Sequence, residues 1–289
     1  MSEPRLNHVA CLDTKGLHRL AYWEWGDPSN PRVVVCVHGL SRQGRDFDLL
    51  AQALADDFRV VCPDVVGRGQ SDWLEDPAGY QLPAYVADMV TLVARLNVPS
   101  VQWVGTSMGG LIGLGVAGLK GSPISRMVIN DVGPTIEPAS LVRIGTYLGQ
   151  PGHWNTIDEA ADALWAVSTG FGTHTREQWL ALSRPMLKPG PDGNGWVLHY
   201  DPRIGQAFRG ITPEIAKYAE AATWHVYDQI TCPVLLLRGA DSDLLSAATA
   251  RAMTERGPKA RLHEFANVGH APMLTSPDQI AVVREFLLS

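Results

Sequence analysis

A chain of 289 residues that is 45% hydrophobic and 19% charged holds enough apolar side chain for one α/β domain with an insertion. Its formal net charge of −6, without blocks of like charge, gives no support to nucleic-acid binding. No apolar run reaches the roughly 18 residues of a membrane span, and the opening MSEPRLNHVA lacks the apolar region of a secretory signal, so a cytoplasmic protein with no membrane partner is expected.

In chain order, residues 7–26, with the β-prone piece LAYWEWG, read as an opening pair of antiparallel strands. Unbroken apolar runs then alternate with helical patterns: RVVVCVHG (32–39), FRVVCPD (58–64), VQWVG (101–105), SRMVIND (125–131) and PVLLLRG (233–239). Strands so uniformly apolar are buried on both faces, as a parallel sheet covered by helices requires. Between them, YVADMVTLVARLNV places Val86, Met89, Val90, Val93 and Leu96 on one helical face. A last strand ARLHEFA and a terminal helix PDQIAVVREFLL complete a doubly wound, mostly parallel sheet. Residues 134–228 break the alternation with amphipathic helical pieces and the loop KPGPDGNGW. Five of the nine tryptophans fall there (Trp154, Trp165, Trp179, Trp196 and Trp224), either as the core of a helical subdomain or as the lining of an apolar pocket under a lid. Cys11, Cys36, Cys62 and Cys232 show no metal-ligand spacing and read as buried free thiols of a reducing compartment.

The stretch WVGTSMGGLIG carries Gly105-x-Ser107-x-Gly109 between an apolar strand and a small-residue helix, the setting of a nucleophile elbow. A serine needs a base to take its proton. His270, in FANVGHAPML between the last strand and the last helix, falls on a loop at the same C-terminal sheet edge. The backbone amides of Leu40, in VHGLSRQG, and Met108 are candidate donors to a developing oxyanion, with His38 holding the first of these loops by hydrogen bonds.

Together the His38-Gly39 loop, the DVVGRGQSD turn (64–72), the elbow at Ser107 and the GHAP loop at His270 resemble the α/β-hydrolase superfamily over nearly the whole chain. The resemblance implies residues 1–133 and 229–289 as the hydrolase core and residues 134–228 as a helical cap. Gly67, Arg68 and Gly69 are expected to be structural. The family's usual acid follows the seventh strand, three residues past a glycine; here that position is Ser242, flanked by Asp241 and Asp243. Some members carry the acid instead at the end of the sixth strand, where Asp131 stands in MVINDVGP, and a buried carboxylate there demands hydrogen bonds. Asp131 and Asp243 therefore both stand as candidates for the group behind His270. The expected activity is a serine hydrolase cleaving a carboxylic ester or lactone through an acyl-enzyme on Ser107, without metal or organic cofactor. Cleavage of a carbon–carbon bond in a diketone-type aromatic breakdown product, acyl transfer, and a ligand receptor reusing the pocket are the alternatives. The expected partner is a small-molecule ester or carbonyl substrate, bound by a monomer or a homodimer.

Overall fold

The computed structural model describes residues 3–209 and 212–289. The strands are β1 (Arg5–Asp13), β2 (Gly16–Trp25), β3 (Val33–Val37), β4 (Arg59–Pro63), β5 (Val101–Thr106), β6 (Ile124–Asn130), β7 (His153–Trp154), β8 (Leu187–Pro189), β9 (Trp196–Leu198), β10 (Val234–Gly239) and β11 (Arg261–Phe265). The helices are α1 (Asp48–Leu54), α2 (Leu82–Leu96), α3 (Met108–Ala117), α4 (Pro138–Tyr147), α5 (Ile157–Ala166), α6 (Arg176–Ser183), α7 (Ile204–Arg209), α8 (Pro213–Asp228), α9 (Ala247–Glu255) and α10 (Pro277–Leu288).

Eight strands form one sheet in the order β1-β2-β4-β3-β5-β6-β10-β11. β1, β2 and β4 are joined antiparallel, and every pairing from β4 to β11 is parallel. Alternation along the strands feeds two cores. Val33, Val35 and Val37 of β3 join the layer of α2, α3 and α9 through Met89, Ile112 and Met253, whereas Val34 and Cys36 join α1 and α10 through Leu50, Leu54, Val283 and Leu287. Every β3 side chain is buried, which explains a run with no polar alternation.

After β3 the chain adds β4 on one side and then crosses to add β5 on the other. The order therefore reverses between β3 and β5, where Val37 pairs with Gly105. Such a switch point opens a crevice at the C-terminal strand ends, the default place for a ligand in an open α/β sheet. The loop after β3 begins with His38, and the loop after β5 is Ser107 itself.

Two expectations need correcting. The buried stripe of α2 comprises Tyr85, Asp88, Met89, Leu92, Val93 and Leu96, while Val90 is exposed. The helix packs on both α3 and β1, which turns its apolar face past Val90. Residues 134–228 are also not only helical: β7, β9 and β8 make a small antiparallel sheet, with the Gly/Pro-rich loop as the turn from β8 to β9. Strands of two or three residues are too short to show an alternation. Trp179 is buried edge-to-face against Trp165, beside Phe171, and Trp224 packs on Tyr227, so most of these tryptophans build the insert's own core and its seat. Cys11, Cys36 and Cys62 are buried free thiols and Cys232 is half-buried. Among the described residues no helix is long and apolar enough to cross a membrane.

The opening hairpin is clasped to α2 by a buried polar contact. His18 Nε2 lies 3.1 Å from the Asp88 carboxylate, and the hydrogen bond to Asp88 raises the His18 pKa above its ordinary value. A base whose pKa is raised by folding stabilises the fold fully below its unfolded pKa of about 6.5 and loses that contribution as pH rises through the folded value. His18→Gln is therefore expected to destabilise the protein more near pH 5.5 than near pH 9 in urea unfolding; an equal loss at both would mean the pair is not ionic.

Candidate active site

Ser107 joins β5 to α3 with φ 52° and ψ −117°, a backbone region that side chains rarely occupy. The turn is possible only because its neighbours lack Cβ atoms. A Cβ on Gly105 would fall 2.3 Å from the Gly109 carbonyl oxygen, and one on Gly109 only 1.9 Å from that of Val37. The strain holds the hydroxyl beyond the sheet edge at the first turn of α3, where the helix presents unbonded amides.

Ser107 Oγ lies 3.0 Å from Nε2 of His270, and His270 Nδ1 lies 2.8 Å from Oδ2 of Asp131. The structure thus brings together three of the residues singled out from sequence. Asp131 follows β6 with φ 55° and is fully buried. Its carboxylate accepts from the Gly239 amide at 2.9 Å and from Ser242 Oγ at 2.6 Å, in addition to the imidazole. Three donors compensate a group whose burial would otherwise be costly. Ser242, where the family's usual acid would stand, accepts from the amides of Leu244 and Leu245 and so directs its own proton to Asp131.

Asp243 is elsewhere. It is half-exposed and holds Arg143 through two hydrogen bonds of 2.7 and 2.9 Å. A one-residue shift of the loop does not occur, because the Ser242 amide caps the turn on Gly239 and turns the next side chain outward to α4.

The histidine loop is anchored on two sides. Gly239 has no Cβ to strike the Gly269 and Val268 carbonyls, which would lie 2.3 and 2.5 Å away. Asn130 Nδ2 donates to the Pro272 carbonyl at 2.7 Å and to Thr106 Oγ1 at 3.0 Å, tying that loop to β5 and β6. Asn130 was not singled out from sequence; its only signal there is a polar residue ending an apolar strand.

The Leu40 loop faces Ser107 across the switch point: a Cβ on Gly39 would meet Ser107 Cβ at 3.7 Å. Among the described residues neither the Leu40 nor the Met108 amide donates to a protein group, so both are free to donate to a bound group. His38 is fully buried, and burial pushes its pKa down to about 3. The Val65 amide donates to Nε2 at 2.9 Å, so the ring proton is on Nδ1 and donates to the Gly39 carbonyl at 2.7 Å. The Arg42 amide donates to the same carbonyl at 3.1 Å. Both bonds polarise the peptide whose N–H is that of Leu40, strengthening it as a donor. His38 is thus a fixture of the loop and no second base.

A cavity of about 230 Å³ opens over Ser107 and His270. Its walls are mostly apolar, with Leu148, Trp154, Phe171, Met186 and Tyr200 contributed by residues 134–228. The insert is seated on the core by Gly69 N–H to His199 O at 3.0 Å, Asp201 N–H to Gly67 O at 2.8 Å, and Arg203 Nη2 to Leu74 O at 2.7 Å.

Comparisons with known proteins identify the family. A model of the alpha/beta hydrolase family matches residues 34–283. The chain is 53% identical over 287 residues, 99% of its length and 98% of the relative, to a 3-hydroxybutyrate-oligomer hydrolase of Cupriavidus necator. It is 26% identical over 268 residues, 89% of the chain and 92% of the relative, to a pimeloyl-[acyl-carrier protein] methyl ester esterase of Stenotrophomonas maltophilia. The crystal structure of an alpha/beta hydrolase from Novosphingobium aromaticivorans superposes with a TM-score of 0.86 at 35% identity, covering 100% of this chain and 99% of that one.

The geometry makes the two acids separable by experiment. Asp131→Asn is expected to lower kcat on a p-nitrophenyl ester by about four orders of magnitude, and Asp243→Asn to leave it within about threefold. The reverse order would place the acid on the other loop.

Proposed function

This chain belongs to the alpha/beta hydrolase family, and we propose on that premise that its ester hydrolysis runs through an acyl-enzyme on Ser107. The observation that carries the reading is the unbroken line from Ser107 Oγ through His270 to buried Asp131, opening into an apolar cavity.

In this reading His270 takes the Ser107 proton as the oxygen attacks the ester carbonyl. Asp131 keeps the imidazole proton on Nδ1 and stabilises the imidazolium that forms. The amides of Leu40 and Met108 hold the oxyanion, and His270 returns its proton to the leaving alcohol. Water, deprotonated by the same imidazole, then releases the acid and restores Ser107.

Residues 134–228 act as the cap that supplies the apolar walls. Its contacts with the Leu74 and Gly67 carbonyls and the Gly69 amide support that division of the chain. A cavity of about 230 Å³ lies under the roughly 300–1,000 Å³ usual for drug-sized ligands and suits a short acyl group. With the 53% identical relative named for hydrolysis of 3-hydroxybutyrate oligomers, the substrate assigned here is a short linear ester of such a hydroxy acid.

The test is turnover of the linear dimer and trimer of 3-hydroxybutyrate, with a series of p-nitrophenyl esters of increasing acyl length. Wild type is expected to release monomer from both oligomers and to prefer short acyl esters. Ser107→Ala is expected to lose about a millionfold in kcat. Turnover of simple esters with intact oligomers would overturn the substrate; an active Ser107→Ala would overturn the acyl-enzyme.

A further inference from the structure

Arg68 lies in the DVVGRGQSD turn, and no part of it reaches solvent (0% exposed). A buried guanidinium normally faces a carboxylate, because a lone charge is expensive to take out of water. Arg68 instead bonds only neutral acceptors among the described residues. Its Nε donates to the Leu40 carbonyl at 2.9 Å, and its Nη1 to the Val66 carbonyl at 2.8 Å and to Tyr85 Oη at 2.9 Å. Its Nη2 lies 3.7 Å from the Met108 sulfur. The rings of Tyr80 and Tyr85 stand 5.9 and 5.1 Å from its Cζ, so π faces rather than anions surround the charge.

Two of these four contacts are with Leu40 and Met108, the residues whose amides face the oxyanion in the reading above, on which this inference rests. Holding the Leu40 carbonyl fixes the rotation of the loop that presents the Leu40 amide. Contact with the Met108 side chain fixes the first residue of α3. The cation itself lies in a dry region, bonded to the Leu40 carbonyl and in contact with the Met108 side chain, where a charge acts with little screening. Among the described residues no carboxylate bonds Arg68, and in this reading negative charge develops at the site only when the carbonyl oxygen takes it up.

We propose that Arg68 is the positioning residue of the oxyanion site: it fixes the Leu40 and Met108 donors and supplies a positive charge that the tetrahedral intermediate, but not the bound ester, compensates. An interaction made only in the transition state raises kcat and leaves substrate affinity alone. A turn residue kept for shape alone has no such signature.

The experiment compares Arg68→Met, which keeps the bulk, with Arg68→Lys, which keeps the charge. For folded Arg68→Met, kcat is expected to fall by roughly 10–100-fold with KM within about threefold. Affinity for a boronic acid, which forms an anionic tetrahedral adduct on Ser107, falls by a similar factor. Affinity for the ether analogue of the substrate, which has no carbonyl, stays unchanged. Arg68→Lys recovers kcat to within about tenfold of wild type. Wild-type kcat in folded Arg68→Met, or an equal fall in ether and boronate affinity, overturns the proposal. If Arg68→Met does not fold, Arg68→Lys decides by the same tenfold limit, a larger loss overturning it. A wild type inactive on every ester would overturn the ester reading instead, so the two failures are distinct.

Discussion

The carboxylate of Asp131 sits at the end of β6 where no water reaches it, and much of the site is organised around satisfying it. Its partners come from three places in the chain: the Gly239 amide at the end of β10, the Ser242 hydroxyl in the following loop, and His270 beyond β11. None would be in place without the parallel register of β6 and β10, in which Leu237 lies beside Asn130 and its carbonyl accepts from the Asp131 amide. The fold's two halves thus meet at one group. Its desolvation is offset by charge-assisted bonds, which also fix the orientation of the imidazole.

Ser107 is positioned by the opposite means, steric closeness rather than charge. At the switch point between β3 and β5, glycines let backbone pass within distances no side chain would tolerate. That crowding holds Ser107 at a positive φ and puts the Leu40 loop against it. Neutral His38 polarises the Gly39–Leu40 peptide, and Arg68 holds the next carbonyl, that of Leu40. A flexible loop would have to reorganise as charge develops; this one is held before substrate arrives.

Much of this was legible in the sequence. The apolar runs marked the parallel strands because burial on both faces removes alternation, and Gly105-x-Ser107-x-Gly109 marked the elbow because its backbone admits few residues. His270 was marked by its place between the last strand and helix. The choice between Asp131 and Asp243 was not legible, since it depends on which side chain the Ser242 turn directs inward. Arg68 read as a structural turn residue because its buried contacts with Leu40 and Met108 lie 28 and 40 positions away. The small sheet of β7, β8 and β9 was invisible because its strands are shorter than one alternation. Asn130 passed unnoticed at the end of an apolar run, although it ties the histidine loop to two strands.

The most direct test of the whole arrangement is a crystal structure of the protein inhibited by a short-chain phosphonate ester. The account predicts phosphorus bonded to Ser107 Oγ and a phosphoryl oxygen about 2.7–3.1 Å from the amides of both Leu40 and Met108, with His270 still bridging to Asp131. An adduct on another residue, a phosphoryl oxygen turned away from those amides, or His270 paired with Asp243 would contradict it.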